Sequence, residues 1–199
     1  MKRFSSLFLI LSFMASISMA LGVKKVLAQP TEDYVVEAIE PQTHNFEATW
    51  TAVATADSVD GVLGFSEVLP ASYGDFDLKI LFKNNGFIMV SDSADFEADS
   101  MVAYVADQAF AFKMVADIDA QTYSVWVTPE GEDEILLADA YYFSPQADSV
   151  ESINYRCTKM SFHEKWGGAV GKVAINDFEV GPLTEDYVIE EIEYRRRIT

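Results

Sequence analysis

The chain has 199 residues, half of them hydrophobic and 23% charged, a mixture that suits one packed domain and excludes wholesale disorder. Lys and Arg number 14 against 32 Asp and Glu, giving a formal net charge of -18. A basic groove tracking phosphates is not expected from such a balance, so nucleic acid is set aside as a partner. The single cysteine, Cys157, excludes an intrachain disulfide.

Lys2 and Arg3 precede twenty uncharged, mostly apolar residues from Phe4 to Val23, followed by Lys24, Lys25 and the small residue Ala28. This order reads as a secretory signal peptide over residues 1–28, with cuts after Ala28 or after Ala20 both compatible with the small-residue rule. The alternative is an uncleaved anchor, since twenty uncharged residues are about long enough to span a ~30 Å hydrocarbon core. A cut after Ala28 leaves 10 basic residues against 32 acidic ones, near -22. A mature surface of that charge repels anionic membranes, stays soluble and attracts divalent cations. The expected location is outside the cell or in a periplasm, with no membrane association after cleavage.

Residues 29–43 form an acidic N-terminal segment, and residues 182–199 an acidic tail that turns basic at Arg195-Arg196-Arg197. The two contain a repeat. Thr31–Glu40 matches Thr184–Glu193 at eight of ten positions, at an offset of 153. One copy of the intervening domain is too little for a solenoid. The flanks read either as one linker on both sides of an array module or as matching docking segments for one partner.

Between them, residues 44–181 are strand-like. Phe46, Ala48, Trp50 and Ala52 alternate with polar residues, and so do Phe76, Leu78, Ile80 and Phe82. Asn85-Gly86 offers two left-handed residues for a hairpin turn into Phe87–Val90. Phe110, Phe112, Met114, Ala116 and Ile118 share one phase, and Asp119-Ala120-Gln121 turns the chain into Tyr123, Val125 and Val127. Thr128–Gly131 is the next turn and Ile135–Leu137 the next strand. Near the end, Val173 and Ile175 are followed by Phe178 and Val180, a slip of one that predicts a β-bulge at Asn176-Asp177. Many short strands with frequent turns predict an all-β, two-sheet antiparallel sandwich.

The run Phe112–Pro129, continuing through Leu136-Leu137-Ala138 and Tyr141-Tyr142-Phe143, resembles the LamG-like, concanavalin A-like jelly-roll domains of secreted bacterial proteins. Asp60–Ser66 and Val173–Val180 share the resemblance, which covers roughly residues 44–181. It implies a jelly-roll sandwich, often appended to polysaccharide lyases and other carbohydrate-active enzymes, on a fold that also serves lectins, hydrolases and plain spacers. Such domains commonly carry Arg-Asn-Gly before the mid-domain loop, where this chain has Val90-Ser91-Asp92-Ser93. The missing cation points toward neutral rather than strongly anionic glycans.

Three kinds of site follow. For catalysis, His44 and His163 lie outside any nucleophile, base and orienter pattern, and the paired-carboxylate motif of jelly-roll glucanases is absent. His163 in its polar loop is the nearest lyase-like residue, with a plain surface histidine as the competing reading, and buried packing is the default for Cys157. For metal, Asp92, Asp95, Glu97 and Asp99 crowd eight residues with the oxygen donors Ca²⁺ prefers, although the EF-hand spacing is missing. The resemblance adds Asp177 with Asp57 or Asp60 as a positional candidate for a structural Ca²⁺. A solvated acidic loop is the competing reading. For sugar, Trp126 is out of phase with Tyr123, Val125 and Val127 and so faces away from the core set, where an indole can carry a pyranose ring. Tyr104, Tyr141, Tyr142 and Trp166 are candidates to join it, and the alternative is a strand covered on both faces.

The expected protein is therefore a secreted, non-catalytic module that binds carbohydrate or another extracellular partner. A polysaccharide lyase or glycosidase is the second reading, and a structural, adhesin-like spacer the third.

Overall fold

The alternation in Phe46–Ala54 is realised as a strand whose Phe46, Ala48, Trp50, Ala52 and Ala54 are buried and whose intervening residues are half-buried. The same logic repeats along a computed structural model that describes residues 34–93, 95–144, 149–159 and 171–183. The described residues form eleven strands: β1 Tyr34–Gln42, β2 Phe46–Ala54, β3 Gly61–Ser66, β4 Leu78–Phe82, β5 Phe87–Asp92, β6 Asp95–Ala103, β7 Ala109–Asp117, β8 Thr122–Pro129, β9 Ile135–Tyr142, β10 Ile153–Lys159 and β11 Val173–Pro182. They build a six-stranded sheet in the order β1-β10-β3-β4-β5-β6 and a five-stranded sheet in the order β11-β2-β7-β8-β9. Every ladder among them is antiparallel. This is the two-sheet antiparallel sandwich that the strand pattern predicts, in the jelly-roll form that the resemblance implies.

The core lies between the sheets. Leu63, Phe65, Leu78, Ile80, Ile88 and Val90 meet Phe46, Trp50, Phe112, Met114, Val125 and Leu137 in one cluster. Trp50 and Phe112 sit opposite each other in the β2–β7 ladder and stack at 5.1 Å with 5° between ring planes. The expected set Phe110, Phe112, Met114, Tyr123, Val125 and Val127 is buried throughout. Tyr123 is the one polar member, and its fully buried hydroxyl donates to the Ser91 carbonyl across the sandwich at 2.5 Å. That bond satisfies a group whose burial would otherwise cost stability.

Three local expectations are refined. Residues 34–42 lie in the segment read as preceding the domain, yet they form β1, paired to β10 from Tyr34↔Lys159 to Gln42↔Ile153. Phe76 leaves the phase of Leu78, Ile80 and Phe82 because β4 starts only at Leu78. Its ring lies in a second apolar cluster with Val36, Val62, Leu81 and Cys157. The Asn85-Gly86 turn supplies one left-handed residue, Gly86 at φ 84, rather than two. Lys83 N–H donates to Phe87 O at 2.9 Å and Gly86 N–H to Lys83 O at 3.0 Å, which makes a four-residue connection ending on glycine. The bulge at Asn176-Asp177 is present, with Asp177 at φ 51 and a register shift between Asn176 and Glu179.

The second cluster lies on the outer face of the six-stranded sheet. The segment from Glu67 to Asp77 folds back over that face and drops Phe76 onto Gly64. A Cβ at Gly64 would stand 2.4 Å from the Phe76 ring, so the close approach requires glycine. Tyr73 packs edge-on against Phe76 at 5.8 Å, and Asp75 Oδ2 accepts from the Ala71 and Ser72 amides at 2.8 Å each.

Candidate functional site

One outer face is covered in this way, and among the described residues no segment covers the outer face of the five-stranded sheet. Strand register lays out its central row: Glu179 on β11, Thr49 on β2, Lys113 on β7, Trp126 on β8 and Leu136 on β9 are successive cross-strand partners. Trp126 is half-buried there, while Tyr123, Val125 and Val127 on the same strand point inward. Its direction is thus the one its phase predicts, and no segment of the described residues folds over it as Glu67–Asp77 folds over the other sheet.

The indole has charged company. Lys113 Nζ lies 4.6 Å from the Trp126 ring centroid and 3.1 Å from Glu134 Oε1. A cation over an indole is attracted by the ring's negative face, and Glu134 balances that charge. Small side chains flank the row, with Thr51, Ala111 and Thr128 on the same phase. The outcome is a shallow platform with one indole, one balanced cation and hydroxyls around it. Sequence places Lys113 near Trp126, but Glu134 is invisible to it, because the contact depends on the register set by the turn after Pro129.

Of the other aromatic candidates, Tyr142 shares this face. It pairs with Thr122, which has the same phase as Ser124 and Trp126, and it is 62% exposed. Four residue steps along β8 separate its row from that of Trp126, about 13 Å at the rise of an extended strand. Tyr141 points the opposite way and is buried. Its hydroxyl donates to Asp99 at 3.1 Å, and burial, then the Asp99 charge, push its pKa up to about 12. Tyr104 is a correction: it is 2% exposed, donates to the Lys83 carbonyl at 2.7 Å and accepts from the Val59 amide at 2.9 Å. The loops it ties together are far apart in sequence, so its burial has no local signal. Trp166 and His163 lie outside the described residues.

Two of the acidic candidates are engaged by the fold. Asp92 Oδ1 accepts the Tyr142 amide at 2.9 Å, and Asp99 Oδ2 accepts the Asp139 amide at 2.9 Å. These carboxylates tie the β5–β6 edge of one sheet to β9 of the other. Asp95, Glu97 and Asp99 alternate along β6, with successive members about 7 Å apart along the strand. Asp177 is exposed on its bulge, and Asp57 is used by the Ala106 amide at 2.7 Å. Among the described residues no three His, Cys, Asp or Glu side chains come together as a metal site.

Perturbed groups occur elsewhere. Burial lifts the Asp77 carboxyl to about 6 and lowers the Lys79 ammonium. Such shifts often mark catalytic sites. Here Asp77 Oδ2 accepts the Glu67 amide at 2.8 Å, and Lys79 Nζ donates to Ser144 at 3.2 Å with Tyr73 beneath it. Asp77 closes the folded-back segment and Lys79 lies buried beneath it, which gives both a structural role. Cys157 is likewise buried, with its thiol pushed up to about 12 by desolvation, so it is a poor nucleophile.

No family model matches the chain. A curated relative is a gellan lyase from a Bacillus species, 30% identical over 109 residues. The match covers 54% of this chain and 4% of that much longer protein. Among solved structures, lectin II from Ulex europaeus superposes with a TM-score of 0.55 at 9% identity, over 80% of this chain and 86% of that one. The lectin I-B4 from Griffonia simplicifolia gives 0.51 at 8% identity over 74% and 80%. A sialidase gives 0.54 at 12% identity, over 77% of this chain and 15% of that one. At these identities the likeness is one of fold: the described strands form a concanavalin A-like jelly-roll sandwich.

Proposed function

We propose that this chain is a secreted, non-catalytic module that binds polysaccharide on the outer face of its five-stranded sheet. The observation that carries the reading is Trp126, half-buried on a sheet face that no described segment covers, with Lys113 and Glu134 beside it and Tyr142 further along the same face. Trp126 and Tyr142 are spaced so that a single sugar ring does not bridge them and an oligosaccharide does. A rigid aromatic platform loses little conformational freedom on binding, since only two side-chain torsions are fixed. The fold shared with plant lectins and the match to part of a gellan lyase support a polysaccharide as the ligand class.

The ligand is neutral or weakly charged. Lys113 is paired with Glu134, and a surface near -22 after signal cleavage repels polyanions. Affinity electrophoresis of residues 29–199 through gels containing neutral polysaccharides, gellan or a polyuronate, each with and without Ca²⁺, tests the reading. Retardation by a neutral polymer supports it. Retardation by none of the polymers contradicts it.

The lyase match also motivates a second reading, cleavage of a polysaccharide. Release of unsaturated sugar ends, or of new reducing ends, on incubation with those polymers would replace the binding-only reading with that one.

A further inference from the structure

The repeat at the two ends of the chain meets the fold at one place. Its first copy supplies β1, the outer strand of the six-stranded sheet, seated on β10. Val36 faces Cys157, and both lie in the second apolar cluster. Glu37 faces Arg156 and forms an ion pair with it. The second copy repeats this set: Tyr187 stands for Tyr34, Val188 for Val35, Ile189 for Val36 and Glu190 for Glu37. The two differences fall where β1 tolerates them. Ile189 adds one methylene at the apolar contact, and Glu191 replaces Ala38, which is exposed.

The second copy cannot reach its own chain's β10 in this register. Lys159, the partner of Tyr34, presents its carbonyl beside Gly61, whose other near neighbour is Val173 at the start of β11. Leu183, just past the end of β11, donates to Asn45 at the opposite end of the sandwich. The ten residues of β11 separate the two places by about 30 Å. Only four residue steps lead from Leu183 to Tyr187, a reach of about 14 Å when fully extended.

We propose that residues 184–193 seat as a strand on β10 of a second copy of this chain, in place of that copy's β1. The exchange replaces an outer strand by one of nearly the same sequence, so the core between the sheets stays closed. The arriving strand restores the ladder, the apolar contact and the ion pair of the strand it displaces. Exchanges of identical elements are a low-cost route to association for this reason. Each copy's own β1 competes from a tethered position, so the exchange grows with protein concentration. Repeated head to tail, it joins many copies.

Cys157 provides the test, because it is the chain's one cysteine and lies buried opposite Val36. Facing residues of an antiparallel ladder have Cα atoms about 4.5–5.5 Å apart, within the range that a disulfide bridges. The full mature chain carrying Ile189→Cys is oxidised mildly over a range of concentrations and run on a non-reducing gel. Covalent dimers and larger species are expected, several-fold more than with Glu191→Cys, whose counterpart Ala38 faces Tyr155. Adding Glu37→Lys, which sets a lysine against Arg156 and loosens the resident β1, should raise the yield. Adding Glu190→Lys should lower it. Equal yields from Ile189→Cys and Glu191→Cys, an intrachain disulfide, or monomer without any disulfide would each overturn the proposal.

Discussion

Asp77 shows how one buried carboxyl bears on the whole stability curve. Its folded pKa of about 6 lies above the ordinary value of 3.8, so between those values the native state holds more protons than the unfolded chain. Stability therefore falls as pH rises through that window, and the penalty is complete above about pH 6. Asn at this position keeps an oxygen for the Glu67 amide and carries no charge. Asp77→Asn should raise stability at pH 7.5 by about 2–3 kcal/mol and should converge with the wild type near pH 4. Denaturant titrations of both proteins at the two pH values check this, and an equal gain at both would contradict a buried charge as its source. Phe112 tests the core more bluntly. Phe112→Ala deletes a ring stacked on Trp50, and a loss of about 3–5 kcal/mol is expected in the same titration.

At the scale of elements, the strands that alternate cleanly were readable because a period of two has one meaning when one face is buried. Phe46–Ala54, Phe110–Ala116 and Tyr123–Val127 are such cases, and even the bulge at Asp177 left a trace in a slipped phase. What alternation does not carry is which sheet face a distant segment will cover. Phe76 read as part of a β4 phase, yet it packs on Gly64 from outside, and no local pattern encodes that return. Tyr104 and Asp99 escaped for the same reason, since their partners Val59 and Asp139 lie 45 and 40 residues away. The direction of Trp126 was readable from its own strand, whereas Glu134 beside Lys113 was not. Gly64→Ala should force the Phe76 ring off its seat and cost about 1–3 kcal/mol, measured as a lower melting temperature. A melting temperature equal to the wild type's would mean that the folded-back segment is not packed as described.

At the scale of the whole molecule, the sandwich holds together through its core and through carboxylates spent on backbone amides where β6 meets β9. Because Asp99 accepts the Asp139 amide on one oxygen and the Tyr141 hydroxyl on the other, Asp99→Asn, which leaves only one acceptor, should lower the melting temperature. EDTA should leave it unchanged, and a fall that millimolar Ca²⁺ reverses would show that those carboxylates also hold a cation. On the proposed reading, the large negative charge selects against polyanionic partners, and recognition falls to the Trp126 platform, where Lys113 is balanced by Glu134.

The most direct test of that claim is the affinity of the wild type and of Trp126→Ala for the neutral polysaccharide that retards the wild type, with melting temperatures measured in parallel. The variant should lose at least about tenfold in affinity, or about 1.4 kcal/mol, while melting within a few degrees of the wild type. Unchanged affinity in a folded variant would contradict the account and move recognition to another surface of the sandwich.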